Sequence, residues 1–266
     1  MISLGFLSPL VITLAAVLFA YFERRFPYSQ DQALVRRGFF NDLVMYTIIQ
    51  SYILSYVISF ISVGIDSLTN ISRYRLLANV PIWEIVLGSL VVHDFYIYWF
   101  HRFQHHNKYL WRIHEAHHST DEVDWLSGSR SHSFEILINQ TVEFAPMVLL
   151  GAAPEAILIK ATIDAIWGMY IHSNLDVRSG KLQFVLNGPE MHRWHHDRDI
   201  KEVGINFSTK FAIWDWLFKT AKNPVGLKPY GYGIDDPSYP SNYFKQHTYA
   251  FRPFSVEVGK LPDQVN

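Results

Sequence analysis

The sequence predicts an all-α protein, a bundle of about four to five membrane helices with a cytoplasmic, histidine-rich cap. Two observations predict this class: long apolar segments with little charge, and thirteen histidines, most of them grouped beside those segments. The 266 residues carry a formal charge of −1, so no nucleic-acid partner is expected. The absence of cysteine excludes disulfides, zinc fingers and thiolate-ligated clusters.

Four apolar regions supply the membrane helices, since each is long enough to lie in a bilayer. They are Leu4–Tyr21, Leu43–Ile65, Val80–Phe100 and Phe134–Ile171. The first could be a secretory signal, but no basic residue precedes it and no small-residue cleavage site follows it, so a retained anchor is expected. The fourth is long enough for two helices, and its small residues and proline predict a hairpin whose second helix begins near Pro154.

These regions divide the chain into three parts. Residues 1–91 hold N-terminal membrane helices, residues 92–221 form a histidine-rich domain that includes the hairpin 134–171, and residues 222–266 form an irregular tail. Within the second part, Asn206–Ala221 is expected to be a short amphipathic element at the membrane surface. Arginine is more frequent after the first apolar region than after the second. The positive-inside rule therefore places residues 22–42 and, by span counting, the histidine site on the cytoplasmic face of a multi-pass protein.

Eight of the histidines recur at helical spacings. His101 and His105 are four residues apart, and the motif H-x-x-H-H occurs at His114–His118 and again at His192–His196. These spacings place the imidazoles of a motif on one side of a helix, and grouped neutral imidazoles suit zinc, iron, copper or nickel. A zinc ion takes three or four protein ligands, so eight histidines are too many for one zinc. They predict two metal ions, each with an open coordination position.

The remaining five histidines are expected to differ in role. His172 ends the hairpin and is expected to be a ligand, whereas His132, which precedes the hairpin, could be a ligand or a hydrogen-bond donor to one. His93 is expected to be packed or hydrogen-bonded. His106 and His247 are expected to lie on the surface.

Charged residues also occur inside the hairpin or at its tip, where a charge that faces lipid is costly; these are Glu143, Glu155, Lys160 and Asp164. Glu155 and Lys160 are expected to flank its exposed turn, while Glu143 and Asp164 face the bundle. Alternatively, Glu143 or Asp164 belongs to a substrate or proton path.

Two functions fit part of the histidine pattern, a zinc protease and a non-enzymatic metal-binding protein. His114-Glu115-Ala116-His117-His118 also matches H-E-x-x-H, the zinc protease motif, in which Glu115 would be the general base. An intramembrane zinc protease would leave the second H-x-x-H-H unexplained. A non-enzymatic metal-binding membrane protein is the other alternative.

At these residues the sequence resembles the fatty acid hydroxylase/sterol desaturase superfamily of integral-membrane diiron oxygenases. The resemblance extends from about Asp94 to Thr220 and includes D-F-Y-I-Y-W-F-H-R-F-Q-H, L-W-R-I-H-E-A-H-H-S, R-S-H-S-F-E, I-H-S-N, M-H-R-W-H-H and W-D-W-L-F-K-T. Two departures are Ser133, where the family often has proline, and Lys219, where glycine is common.

The resemblance implies two iron ions and O2-dependent hydroxylation or desaturation of an apolar lipid, such as a sterol, fatty acyl chain, carotenoid or ether lipid. Carried over position by position, the implied ligands are His101, His105, His114, His117, His118, His172, His192, His195 and His196, with His132 as an additional candidate. Asp94 and Asn174 match family positions and are expected to have supporting roles. The chain has no H-P-G-G haem motif and no G-x-G-x-x-G, so a separate cytochrome b5-like or ferredoxin-like electron donor is implied.

Overall fold

A computed structural model describes residues 4–199, 204–224 and 226–254. These residues form helices and no strand, apart from one isolated antiparallel bridge between Pro27 and Leu175. The α-helices are α1 (Leu4–Arg25), α2 (Ser51–Thr69), α3 (Ile82–His106), α4 (Lys108–His118), α5 (Ser133–Leu149), α6 (Pro154–His172), α7 (Pro189–His195), α8 (Ile213–Leu217) and α9 (Tyr243–Tyr249). A π-helical segment, Asn41–Gln50, leads directly into α2, and short 3-10 turns lie at Ile71–Tyr74, Ser127–Ser129 and Gly180–Phe184.

All four predicted apolar regions are helical. They correspond to α1, to the continuous segment Asn41–Thr69, to α3 and to the α5–α6 hairpin. The hairpin turns at Gly151, whose φ of +77° favours glycine, and α6 begins at Pro154 as predicted. Within the described ranges, two helices are long and apolar enough to cross a membrane by length and composition, Gly5–Arg25 and Asn41–Thr69.

The outside of the protein is unusually apolar. Phe60 is 79% exposed and Leu68 is 89% exposed, and large apolar side chains of α1, α2 and α3 are exposed in the same way. Among the buried residues, by contrast, polar and charged side chains outnumber apolar ones. Because large contiguous apolar surfaces mark contacts with a partner or a membrane, this distribution fits helices that face lipid and a polar site between them.

The packing of the helices gathers the histidines at one end. α6 packs against α1, α3 and α7, and α3 also packs against α4. Between α3 and α4 the chain turns at Asn107, whose side chain accepts hydrogen bonds from the backbone N–H groups of Tyr109 and Leu110. This cap ends α3 and starts α4, so the histidines of the two helices face each other.

The connection that follows α1 lies at the same end as the histidines. Glu23 accepts a hydrogen bond from the backbone N–H of Asn174 at 2.8 Å, and Arg36 forms a buried ion pair with Asp124 at 3.0 Å. These contacts place the connection after α1 beside the segments that carry the histidines. The membrane face that the span counting assigns to it stays a prediction.

Two segments differ from the sequence predictions. The tail beginning at residue 222 contains the helix α9, which the side chain of Asn242 caps by accepting a hydrogen bond from the N–H of Lys245; residues 225 and 255–266 lie outside the described part. Asn206–Ala221 is mostly a closed loop in which only α8 is helical, because the carboxylate of Asp215 accepts hydrogen bonds from the backbone N–H groups at residues 207 and 208.

Candidate metal centre

Nine histidines meet where α3, α4, α6 and α7 come together, in two groups within each of which the ligand atoms lie within 4.8 Å of one another. The five-histidine group consists of His101, His105, His114, His118 and His195. The four-histidine group consists of His117, His172, His192 and His196. The groups adjoin, since the ring centroids of His118 and His196 are 4.6 Å apart. These nine are the residues that the family resemblance implied as ligands.

Each H-x-x-H-H motif contributes to both groups. In the α4 motif the first and last histidines join the five-histidine group, and His117 joins the four-histidine group. In the α7 motif the assignment is reversed, because His192 and His196 join the four-histidine group and His195 joins the other. The third and fourth residues after a histidine lie on the same side of a helix but not in line, so each motif can reach two adjacent positions. The duplicated motif therefore contributes imidazoles to both histidine groups.

Hydrogen bonds that Nδ1 donates set the tautomer of five of these histidines. Four Nδ1–H groups donate to backbone carbonyls: His101 to Phe207, His117 to Arg130, His172 to Gly168 and His195 to Ile205. The fifth, that of His114, donates to Oε1 of Glu135. The N···O distances are 2.8 to 3.1 Å. A carbonyl or carboxylate oxygen only accepts, so the proton lies on Nδ1 and Nε2 keeps a free lone pair.

These lone pairs face one another with no proton between them. Nε2 of His101 lies 3.1 Å from Nε2 of His114, and Nε2 of His172 lies 3.2 Å from Nε2 of His117. Two acceptors at this distance repel each other unless a cation lies between them. In addition, both ring nitrogens of His105 are buried without a hydrogen-bond partner among the described residues. The donor set therefore fits metal ions that prefer neutral imidazole, which include iron and zinc.

Burial keeps the imidazoles in the form that binds a metal. It lowers the pKa of His195 to about 3, and it lowers the pKa of His118 and of His196 well below the usual value. A histidine ligand must be deprotonated at the nitrogen that binds. At neutral pH these three imidazoles are therefore neutral.

The loop that follows α7 holds the carbonyl acceptors for His101 and His195. Asp94, which is fully buried in α3, accepts hydrogen bonds from the backbone N–H groups of Lys210 and Phe211 at 2.8 and 2.9 Å. Lys219, at the other end of the loop, has a φ of +60°. This conformation favours glycine, which accounts for the glycine that the family commonly has there. Asp94 thus has the supporting role expected of it.

Gly128 provides the space in which the His172 ring lies. A Cβ atom at residue 128 would lie 2.6 Å from Nδ1 of His172, closer than van der Waals contact. The segment that carries Gly128 is held by Arg130, whose Nε donates to Asp42 at 2.9 Å. The position of the His172 ring therefore requires a glycine at residue 128.

His132 lies outside both groups, so the expectation that it joins the ligands is not supported by the geometry. Its Nε2 donates to the carbonyl of His247 at 3.1 Å, and its Nδ1 accepts from the N–H of Phe134 at 3.1 Å. Both ring nitrogens are used, so neither is left for a metal. His247, expected on the surface, is half-buried and accepts a hydrogen bond from the N–H of Ser133, which proline at that position could not donate.

Asn174 also has a supporting role. Its side chain pairs with the backbone of Ser29, accepting from N–H at 2.9 Å and donating to C=O at 3.0 Å. His106 is exposed as expected, and its Nδ1 donates to Arg102 O.

A third cluster lies deeper in the bundle. Lys160, predicted to flank the exposed turn, is fully buried and pairs with Glu143 and with Asp164, the latter at 2.6 Å. Lys210 pairs with Asp164 from the other side at 2.6 Å, and His93 lies 3.5 Å from Glu143. The prediction for Lys160 was wrong, because the two carboxylates that face the bundle need a buried cation. That ammonium occupies the space that a metal would need.

Glu115 does not face the histidines. Its carboxylate accepts hydrogen bonds from Arg252, the nearer at 2.9 Å. The H-E-x-x-H interpretation requires this carboxylate beside the metal, so the geometry does not favour a protease.

Sequence reasoning missed Glu135, whose Oε1 accepts the hydrogen bond from His114. It lies three residues after His132, and only the fold shows which histidine it meets.

The comparisons with known proteins agree with this geometry. A family described as fatty acid hydroxylase matches residues 86–220, slightly more than half of the chain and all nine clustered histidines. The chain belongs to the fatty acid hydroxylase family.

Several relatives of this family member have curated names. It is 34% identical over 142 residues to the ornithine lipid hydroxylase OlsE of Rhizobium tropici. The aligned region covers 53% of this chain and 43% of the relative. It is 32% identical over 138 residues to alkylglycerol monooxygenase of Danio rerio, and the match covers 52% of this chain and 30% of the relative. It is 30% identical over 150 residues to methylsterol monooxygenase 1 of Rattus norvegicus, and that match covers 53% of this chain and 49% of the relative. The chain thus spans less than half the length of each of these relatives. No solved structure matches it with significance.

Proposed function

We propose that this protein is a membrane-bound oxygenase that hydroxylates or desaturates an apolar lipid with O2, using two iron ions held by the nine clustered histidines. The observation that carries the proposal is the arrangement of these rings in two adjoining groups, with lone pairs facing one another. Family membership and relatives named as hydroxylases and monooxygenases of lipids and sterols support it.

The chemistry is divided between the metal and the chain. Bound iron supplies the O2-dependent oxidation that an unactivated C–H bond requires, for which acids, bases and ordinary nucleophiles are unsuited. The chain contributes neutral imidazole ligands, holds their rings through backbone carbonyls and Glu135, and excludes water by burying the site.

A membrane location accounts for the exposed apolar helices. In this proposal α1, the segment Asn41–Thr69, α3, α5 and α6 lie in the bilayer, and the histidine groups lie at its cytoplasmic face beside the arginine-rich connection 22–42. A lipid then reaches the site laterally. In this proposal the electrons come from a separate redox protein, cytochrome b5-like or ferredoxin-like, since relatives named as monooxygenases imply an electron donor.

The test is to compare the lipids of host membranes with and without the protein under 18O2. A lipid that gains one 18O shows hydroxylation, and a lipid that loses two hydrogens shows desaturation. Either product should disappear in the His195→Ala variant. A wild-type protein that carries iron and receives electrons, but yields neither product from a complex lipid extract, would contradict the proposal.

A further inference from the structure

Glu135 distinguishes the two histidine groups. It lies in the first turn of α5, is 5% exposed, and accepts the Nδ1 proton of His114 at 2.8 Å. Four other clustered histidines donate from Nδ1 to neutral backbone carbonyls; these are His101, His117, His172 and His195. The five-histidine group thus has a carboxylate beside one ligand, whereas the hydrogen bonds described for the four-histidine group go to carbonyls.

The carboxylate is held for this one contact. Its second oxygen, Oε2, is buried without a hydrogen-bond partner among the described residues, so His114 supplies the hydrogen bond that stabilises it. Its place in the first turn of α5 also puts it near the positive end of the helix dipole, which favours negative charge. A buried carboxylate with one donor is costly unless positive charge lies beyond that donor, as a metal on Nε2 of His114 would provide.

We propose that Glu135 is a positioning residue that strengthens metal binding in the five-histidine group alone. Its carboxylate holds the His114 ring with Nε2 directed inward, and its charge makes that imidazole a stronger electron donor. Partners of this kind typically change metal affinity by about 10–100-fold. The inference rests on the proposed two-metal function.

The experiment measures Co2+ affinity in single-position backgrounds, by chelator competition and by the visible absorption of the bound ion. The His172→Ala variant leaves the five-histidine position intact, and the His195→Ala variant leaves the four-histidine position intact. Glu135→Gln is then added to each, because glutamine keeps an acceptor for His114 but removes the charge. Glu115→Gln is the matched control, since Glu115 is also a buried glutamate next to His114 in sequence but bonds to Arg252.

In the His172→Ala background only, we expect Glu135→Gln to weaken Co2+ binding by about 10–100-fold and to shift the absorption spectrum of the bound ion. Glu115→Gln should leave Co2+ affinity and spectrum unchanged in both backgrounds. Equal losses in both backgrounds, or none in either, would overturn the inference. Thermal unfolding of the metal-free variants checks their folding, and Glu135→Asp, which retains the charge, should recover part of the affinity. A wild-type protein that binds no second Co2+ would instead defeat the proposed function, so the two failures are distinguishable.

Discussion

At the scale of single residues, the centre is defined by the hydrogen bonds behind the histidines as much as by the histidines themselves. Backbone carbonyls at residues 130, 168, 205 and 207 accept Nδ1 protons and leave Nε2 free. Such outer partners fix the orientation of a ligand and tune its strength. They come from three different loops or helices, so the site depends on the whole cap.

Gly128 gives a prediction at this scale. Gly128→Ala should displace the His172 ring, because the new Cβ would lie 2.6 Å from its Nδ1. We expect weaker metal binding in the four-histidine group and a loss of about 1–3 kcal/mol in the free energy of unfolding, the usual effect of overpacking. Metal content and thermal unfolding measure the two effects.

Gly168→Ala is the matched control, since a Cβ there meets nothing within 4 Å and the carbonyl that holds His172 is retained. The steric account would be wrong if both alanine variants kept wild-type metal content.

At the scale of elements, the main finding is that the motifs of α4 and α7 each contribute histidines to both groups. The tail helix α9 covers the same region, and its neighbour Arg252 bonds to Glu115 in α4 and to Asp236. Glu115 therefore attaches the tail to the cap.

That role predicts coupling between Glu115 and Arg252. In a double-mutant cycle of Glu115→Gln and Arg252→Met, we expect an interaction free energy of about 0.5–3 kcal/mol, as for residues of one buried network. Chemical unfolding measures it. Metal content and O2-dependent product formation should persist in both single variants.

The opposite pattern would restore a catalytic role for Glu115. Loss of product in Glu115→Gln, with full activity in Arg252→Met, would show that the carboxylate acts at the metal.

The sequence predicted much of this architecture, for reasons visible in particular elements. The apolar length of the hairpin and the proline at 154 were enough to place α5 and α6, because both signals are local. The spacing of H-x-x-H-H predicted that these histidines belong to one site but not how they divide into two groups, which depends on how α4 and α7 face each other. Burial of Lys160 and the contact of Glu135 with His114 depend on tertiary packing in the same way.

At the scale of the whole molecule, a large set of neutral imidazoles is buried in one place. The pKa of His195 falls from 6.5 to about 3 on burial. A histidine whose pKa is lowered in the folded state favours unfolding as the pH falls below 6.5, because the unfolded chain binds the proton first. The stability it contributes is complete above pH 6.5 and is lost as the pH falls towards 3.

We therefore predict that the metal-free protein loses stability on acidification. At pH 5 such a histidine should cost about 2 kcal/mol relative to neutral pH, and several buried together should add to this. Thermal unfolding in detergent between pH 7.5 and pH 5 measures the effect. A midpoint that stayed constant across this range would show that the imidazoles are not buried as described.

The central claim is that nine histidines, and not His132, hold two iron ions. Iron content of the purified protein, measured by mass spectrometry after anaerobic loading and desalting, tests it most directly. We predict about two irons per chain for the wild type and for His132→Ala, and about one for His172→Ala and for His195→Ala, in keeping with one position for each histidine group. A wild-type protein that retained a single zinc and no iron, or a His132→Ala variant that lost iron while His172→Ala kept both ions, would contradict the account.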